Sequence, residues 1–199
     1  MPLVEYVNEE GYRLDGRKED ECRLIKINVG NENIFTDADG FAFYEIGNTK
    51  LLSYIQGPTE LKKSEEKCSI KCEVFLSPFN RDGGVKHAAI NTCILALIDA
   101  GIAIKYFISA CSVLFLQNRI LVDGNQLEIN SGAPELTMVI ELNTHKIVLL
   151  EFDAEVPIDI FEAMVRTCMD CCINLGNVMK LTVKENAIKL LCLNNMLNA

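Results

Sequence analysis

No run of this chain approaches the roughly 20 consecutive apolar residues of a membrane-crossing helix, so no membrane partner is expected. Residues 1–17, MPLVEYVNEEGYRLDGR, are acidic and lack an apolar h-region. That composition speaks against a secretory signal. Positive charge is in short supply: 19 Lys and Arg stand against 28 Asp and Glu, for a net charge of −9. Phosphate neutralisation supplies most non-specific affinity for nucleic acid. The chain alone is therefore expected to bind RNA or DNA weakly, with basic neighbours supplying much of any attraction. A zinc set is also missing from the sequence pattern. Cys168, Cys171 and Cys172 form CMDCC in a helical stretch, but no second CxxC and no nearby His completes it. The nine cysteines read as small apolar residues in a reducing cytosol or nucleus. No metal and no cofactor are expected.

What is present suits a packed protein. Hydrophobic residues make up 49% of the 199 residues. No long linker or short-period repeat interrupts them, so one domain spanning 1–199 is expected. A polar arm, GYRLDGRKEDECR, leads to a strand over 24–29. FAFYEIGNTKLLSYIQGP then reads as two strands joined at Gly47-Asn48. Phe41, Phe43, Leu51 and Ile55 are expected to point inward, and Pro58 to end the hairpin. The charged run 60–67 reads as a solvated loop. CSIKCEVFL alternates as a strand with Ile70, Cys72, Val74 and Leu76 on one face. Further strands are expected over 107–116, 119–122, 136–142 and 146–152. The last third is helical from Pro157, with a stripe of Ile158, Phe161, Met164, Val165, Cys168 and Cys172, and with Gly176 as a possible bend or split. Strands, helix, strands, helix describe an α+β protein of two stacked β/α halves.

The most telling stretch is DGGVKHAAINTCILALIDAG at 82–101. A double glycine runs straight into an apolar helix, which stops at Gly101, a natural C′ residue. Such turns aim backbone N–H groups and a helix N-terminus at a phosphate. Here the mouth carries one cation, Lys86, beside His87. Ala89, Cys93, Ala96 and Ala100 are small residues at helical spacing, which allows close packing on a sheet.

YRLDGRKEDECR, DADGFAFYEIGNTKLLSYIQGP and DGGVKHAAINTCILALIDAGI, followed by LVDGNQLE and PIDIFE, resemble the signature blocks of the RNase PH family in order. The similarity covers nearly the whole chain. It is strongest to the eukaryotic RNA exosome ring subunits that correspond to the archaeal phosphorolytic subunit. The resemblance implies the RNase PH-like fold (ribosomal protein S5 domain 2-like). It also implies a departure. In the family, a long helix and a strand lie between the SPFNR strand end and the double glycine, whereas here Arg81 is followed at once by Asp82-Gly83-Gly84. The first half should therefore lack a helix and a strand, and should leave apolar area exposed. At about 25 cal/mol per Å2, each few hundred Å2 left uncovered forfeits several kcal/mol. Either a neighbour covers that face, or the sequence is a truncated gene model or splice form.

Phosphorolysis needs cations or N–H groups to hold phosphate, and carboxylates to place a metal or move a proton. The resemblance places Lys86 where active relatives have Arg, Val85 where they have Ser or Thr, and Ile129 and Glu135 at the two catalytic aspartate positions. An isoleucine neither ligates a metal nor carries a proton. Glu128 lies next door, and in an extended segment it would face the other way. What the resemblance implies is a non-catalytic ring subunit of the RNA exosome. It would thread single-stranded RNA 3′ end first toward a separate hydrolytic nuclease. Its partners would be other RNase PH-like ring subunits and RNA-binding cap subunits, in nucleus, nucleolus and cytoplasm. The alternative is an active phosphate-dependent 3′–5′ exoribonuclease. The candidate RNA contacts are Arg81, Lys86, Lys62, Lys63 and Phe79, each against a plain reading as surface charge or core; His145 and Asn48-Thr49-Lys50 read as turn chemistry.

Overall fold

The computed structural model describes residues 5–30, 38–60, 68–77 and 82–197. Two four-stranded antiparallel sheets are built. The first has the order β1-β2-β3-β4, with β1 at Ile25–Val29, β2 at Gly40–Ile46, β3 at Thr49–Glu60 and β4 at Cys68–Leu76. The second has the order β6-β5-β7-β8, with β5 at Ile108–Leu116, β6 at Arg119–Val122, β7 at Glu135–Glu141 and β8 at Ile147–Phe152. Helix α1 (Val85–Asp99) packs on β2, β3 and β5, so it touches both sheets. A five-residue helix, α2 (Gln126–Asn130), links β6 to β7, and α3 (Ile158–Leu197) closes the order.

The first sheet's core face is Ala42, Tyr44 and Ile46 on β2, against Leu51, Ser53 and Ile55 on β3. Leu51 and Ile55 thus lie inward as expected. Phe41 is buried as expected, although it shares the opposite face of β2 with Phe43, which is only half-buried. The register pairs Tyr44 with Leu51 and puts Ala42, Tyr44 and Ile46 on the core side. A strand's alternation fixes two faces but not which one is inner. Pro58 does not end the hairpin. β3 runs on to Glu60 through a register shift between Gln56 and Thr59. Strand β4 forms, and the face that carries Ile70, Cys72 and Val74 is open: all three are exposed.

Close approach between α1 and β2 rests on small residues. A Cβ on Gly40 would come within 2.4 Å of the Ala96 carbonyl and the Ala100 nitrogen. The same logic corrects the expectation for Gly176. It does not split the last helix, which runs unbroken to Leu197. Instead it lets Leu142 press on the helix backbone, since an added Cβ would sit 2.3 Å from a Leu142 methyl. Along α3, Met164, Cys168 and Cys172 enter the second sheet's core, while Leu175 and Met179 enter the first sheet's core. Ile158, expected in that stripe, lies exposed at the helix start.

Candidate functional site

Three arginines of the N-terminal arm hold the loop between β6 and α2. Arg13 is buried. Its Nε donates to Glu128 Oε1 at 2.8 Å, its Nη1 to the Val122 carbonyl at 2.6 Å, and its Nη2 to Glu128 Oε2 and the Asp123 carbonyl. Arg17 donates from Nη1 to the Asp123 carbonyl at 3.0 Å and from Nε to Asp15 at 2.9 Å. Arg23 grips the Asp123 carboxylate with two N–H groups, at 2.8 and 2.5 Å. It also donates to the Asp82 and Gly83 carbonyls, so the same guanidinium fixes the glycine turn. His87 Nε2 lies 3.4 Å from Asp123 Oδ1 from the other side, an ion-pair distance rather than a well-formed hydrogen bond. Burial alone would push the Asp123 carboxyl up, but hydrogen bonds and charge from Arg23 and His87 outweigh it and hold the carboxyl well below the usual carboxylate range. Arg23 is correspondingly raised: burial opposes its charge, and Asp123 wins.

The glycine turn sits on this clamp. Gly83 and Gly84 take φ of 78° and 66°, which a side chain would strain. Gly84 is the N-cap of α1, with no side-chain cap on the helix. Thr49, at the start of β3, ties the turn to the hairpin. Its hydroxyl donates to the Gly83 carbonyl at 2.9 Å and accepts from the Asp82 N–H at 3.0 Å. Asp82 in turn accepts from Gln126 N–H at 3.3 Å.

Ile129 lies directly beneath the turn. A Cβ on Gly83 would meet its Cδ1 at 2.8 Å, and one on Gly124 its Cγ1 at 3.6 Å. The residue at the first aspartate position therefore faces the turn, and it is a hydrocarbon. Neighbouring Glu128 is no substitute. The segment is helical rather than extended, and Glu128 is committed to a capping box with Asn125 and to Arg13. It is 1% exposed. A divalent metal does not fit at this floor, because no carboxylate stands where Ile129 is.

Of the five candidate RNA contacts, Arg81, Lys62, Lys63 and Phe79 lie outside the described residues. Lys86 is exposed at the first turn of α1, where its Nζ pairs with Glu151 on β8 at 2.5 Å. The hydrogen bond that Lys86 donates to Glu151 raises the Lys86 ammonium, and Glu135 adds to it more weakly by charge. Two carboxylates thus share the mouth with one cation, which weakens its pull on a phosphate. His145 sits at positive φ in the β7–β8 connection. Sequence reasoning missed the arm's arginines as a clamp. Their signal was three Arg within eleven residues, each with acidic residues nearby in sequence.

No family model matches the chain. Among curated proteins it is 29% identical over 238 residues to an Arabidopsis thaliana exosome complex component RRP41 homolog, covering 94% of this chain and 98% of that protein. It is 27% identical over 246 residues to Homo sapiens exosome complex component RRP41, covering 96% and 99%. In solved structures, rice Rrp46 superposes with a TM-score of 0.74 at 18% identity, over 86% of this chain and all of that one. The chain is similar along nearly its whole length to exosome RRP41-type subunits, and it has the RNase PH-like fold. The RNase PH-like fold is shared as well with an Archaeoglobus fulgidus exosome with RNA bound to the active site, at TM-score 0.67 and 15% identity. The Arabidopsis match runs over 238 residues although this chain has only 199, so that relative carries internal residues with no counterpart here.

Proposed function

We propose that this RNase PH-family chain is a non-catalytic ring subunit of an RNA exosome. It forms one RNase PH-like domain and helps thread single-stranded RNA, 3′ end first, toward a hydrolytic nuclease in the nucleus, nucleolus and cytoplasm. The observation that carries this reading is the Ile129 side chain under Gly83. A phosphorolytic centre needs a proton carrier or metal ligand there, and removing a general acid or base costs about 10^2 to 10^4 in rate. The pairing of Lys86 with Glu151 weakens the mouth's pull on a phosphate as well.

Assembly into a ring is supported by two open edges. On edge strand β8, four consecutive residues, Ile147 to Leu150, are at least 37% exposed. On edge strand β4, Ile70, Val74 and Phe75 are exposed. Isolated chains blunt such edges, and subunits bury them against one another. We place the residues absent relative to the family between Arg81 and Asp82, beside β4. RNase PH-like neighbours and RNA-binding cap subunits cover the open surfaces, and Arg81, Phe79, Lys62, Lys63 and Lys86 contribute to the RNA path.

The test is reconstitution with RNase PH-like partners, without a hydrolytic nuclease, on a 3′-hydroxyl RNA in phosphate buffer. The proposal predicts intact RNA, protection of the 3′ segment, and crosslinks to the region around Arg81. Release of nucleoside diphosphates establishes the phosphorolytic alternative. Intact RNA without crosslinks reduces the chain to a scaffold with no RNA role.

A further inference from the structure

Three sulfur atoms converge on the side of the arm away from the glycine turn. Cys22 comes from the arm just before β1, Cys111 from β5 and Cys171 from α3. Cys171 Sγ lies 3.2 Å from Cys22 Sγ and 3.0 Å from Cys111 Sγ, and all three sulfurs fall within 4.8 Å of one another. They are separated by 149 and 60 residues in sequence, so no short motif announces them. Cys168, the other half of the CxxC, aims its thiol at the Cys111 carbonyl instead.

We propose that Cys22, Cys111 and Cys171 form a binding site for a thiophilic d10 cation, represented by Zn2+. The proposal is independent of the ring-subunit reading. Thiolate donors select zinc-like ions over the oxygen-seeking Mg2+ and Ca2+. Tetrahedral zinc with Zn–S near 2.3 Å sets sulfurs about 3.8 Å apart, so the contacts at 3.2 and 3.0 Å need to open by about 0.6–0.8 Å. Cys22 and Cys171 line a cavity of about 540 Å3, which leaves room for a fourth ligand such as water. Asp20, Glu21 and Asp170 also line that cavity, which gives a cation an acidic approach.

A zinc-like ion binds thiolates, so the three thiols release their protons as it enters. The bound ion would fasten the arm to β5 and α3, close to where Arg23 fastens it to Asp123.

The test uses the full chain with whatever partners keep it soluble, stripped by a chelator under reducing conditions and titrated with Zn2+. One tight equivalent is expected per chain. Co2+ in its place should give the intense thiolate-to-metal absorption of a tetrahedral sulfur site. Cys22→Ser should weaken Zn2+ binding by more than the roughly 10–100-fold that loss of an outer-shell partner costs. Cys22 is half-buried, so this variant is less exposed to folding failure than Cys171→Ser. Cys72→Ser, in the two-thiol contact with Cys93 at 3.4 Å, should bind as the parent does. Three results overturn the site: no Zn2+ retained at equimolar concentration, binding unchanged by Cys22→Ser, or a disulfide among the three cysteines in the protein before reduction.

Discussion

The two sides of Gly83 have different fates. Below and behind it, every charged group of the clamp has a partner: Arg13 with Glu128, Arg17 with Asp15, and Arg23 with Asp123. In front of it stand Ile129, a hydrocarbon under the turn, and Lys86, paired with Glu151. The shape of the turn depends on the clamp, because Arg23 and Thr49 hold its carbonyls. The chemistry depends on the mouth. On the proposed reading, this chain keeps the shape of the turn and not its chemistry.

The largest expected effect comes from breaking the clamp. Asp123→Ala leaves Arg23 buried without its carboxylate, and breaking such a pair costs about 3–5 kcal/mol. Urea unfolding of parent and variant measures it. The same carboxylate sets an acid limit. Its folded value lies below its unfolded value of about 3.9. Its stabilisation is therefore complete above about pH 5 and drains as pH falls below the unfolded value toward the folded one. The parent should lose stability on acidification through that window, and the variant should lose less.

An intermediate effect belongs to the open edge. Val148→Glu on β8 places a charge in the exposed apolar row and should weaken association with a ring neighbour by about tenfold or more. Its own folding should change little, as sedimentation and a thermal melt of the same sample can show. A monomer that melts cooperatively at low concentration, with no gain from partners, contradicts the role given to this edge.

Ile129→Asp exchanges the mouth's hydrocarbon for the missing acid. It should cost roughly 1–3 kcal/mol, because the carboxylate gains no partner under Gly83. It should not restore phosphorolysis, since Lys86 remains paired. The smallest effect is that of Glu151→Gln, which frees Lys86. Exposed ion pairs contribute little, so stability should stay within about 0.5 kcal/mol of the parent. RNA affinity of the assembled ring should rise less than tenfold and be lost at high salt.

The strand and helix order was legible in the sequence because turn residues marked nearly every junction: Gly47-Asn48, Gly83-Gly84, Gly101 and Asn143-Thr144 each stand where a strand or helix begins or ends. Burial was less legible. The inner face of β2 is chosen by pairing Tyr44 with Leu51, a long-range fact that alternation alone does not carry. The reason for a glycine at 176 inside the unbroken α3 is Leu142, which arrives from β7's far end. At the site, Ile129 was placed by resemblance, and its position under Gly83 agrees. Helix α2 and the commitment of Glu128 to Arg13 were not legible, because the two residues are 115 apart. The three-sulfur cluster was invisible for the same reason.

The most direct measurement is product analysis on a 3′-labelled RNA incubated with the reconstituted ring, inorganic phosphate and Mg2+, in the absence of any hydrolytic nuclease. With Ile129 under the turn, no nucleoside diphosphate should form above the protein-free control. Diphosphate release that depends on phosphate and disappears when Lys86 is changed to Ala would contradict the account, because this mouth would then still cleave.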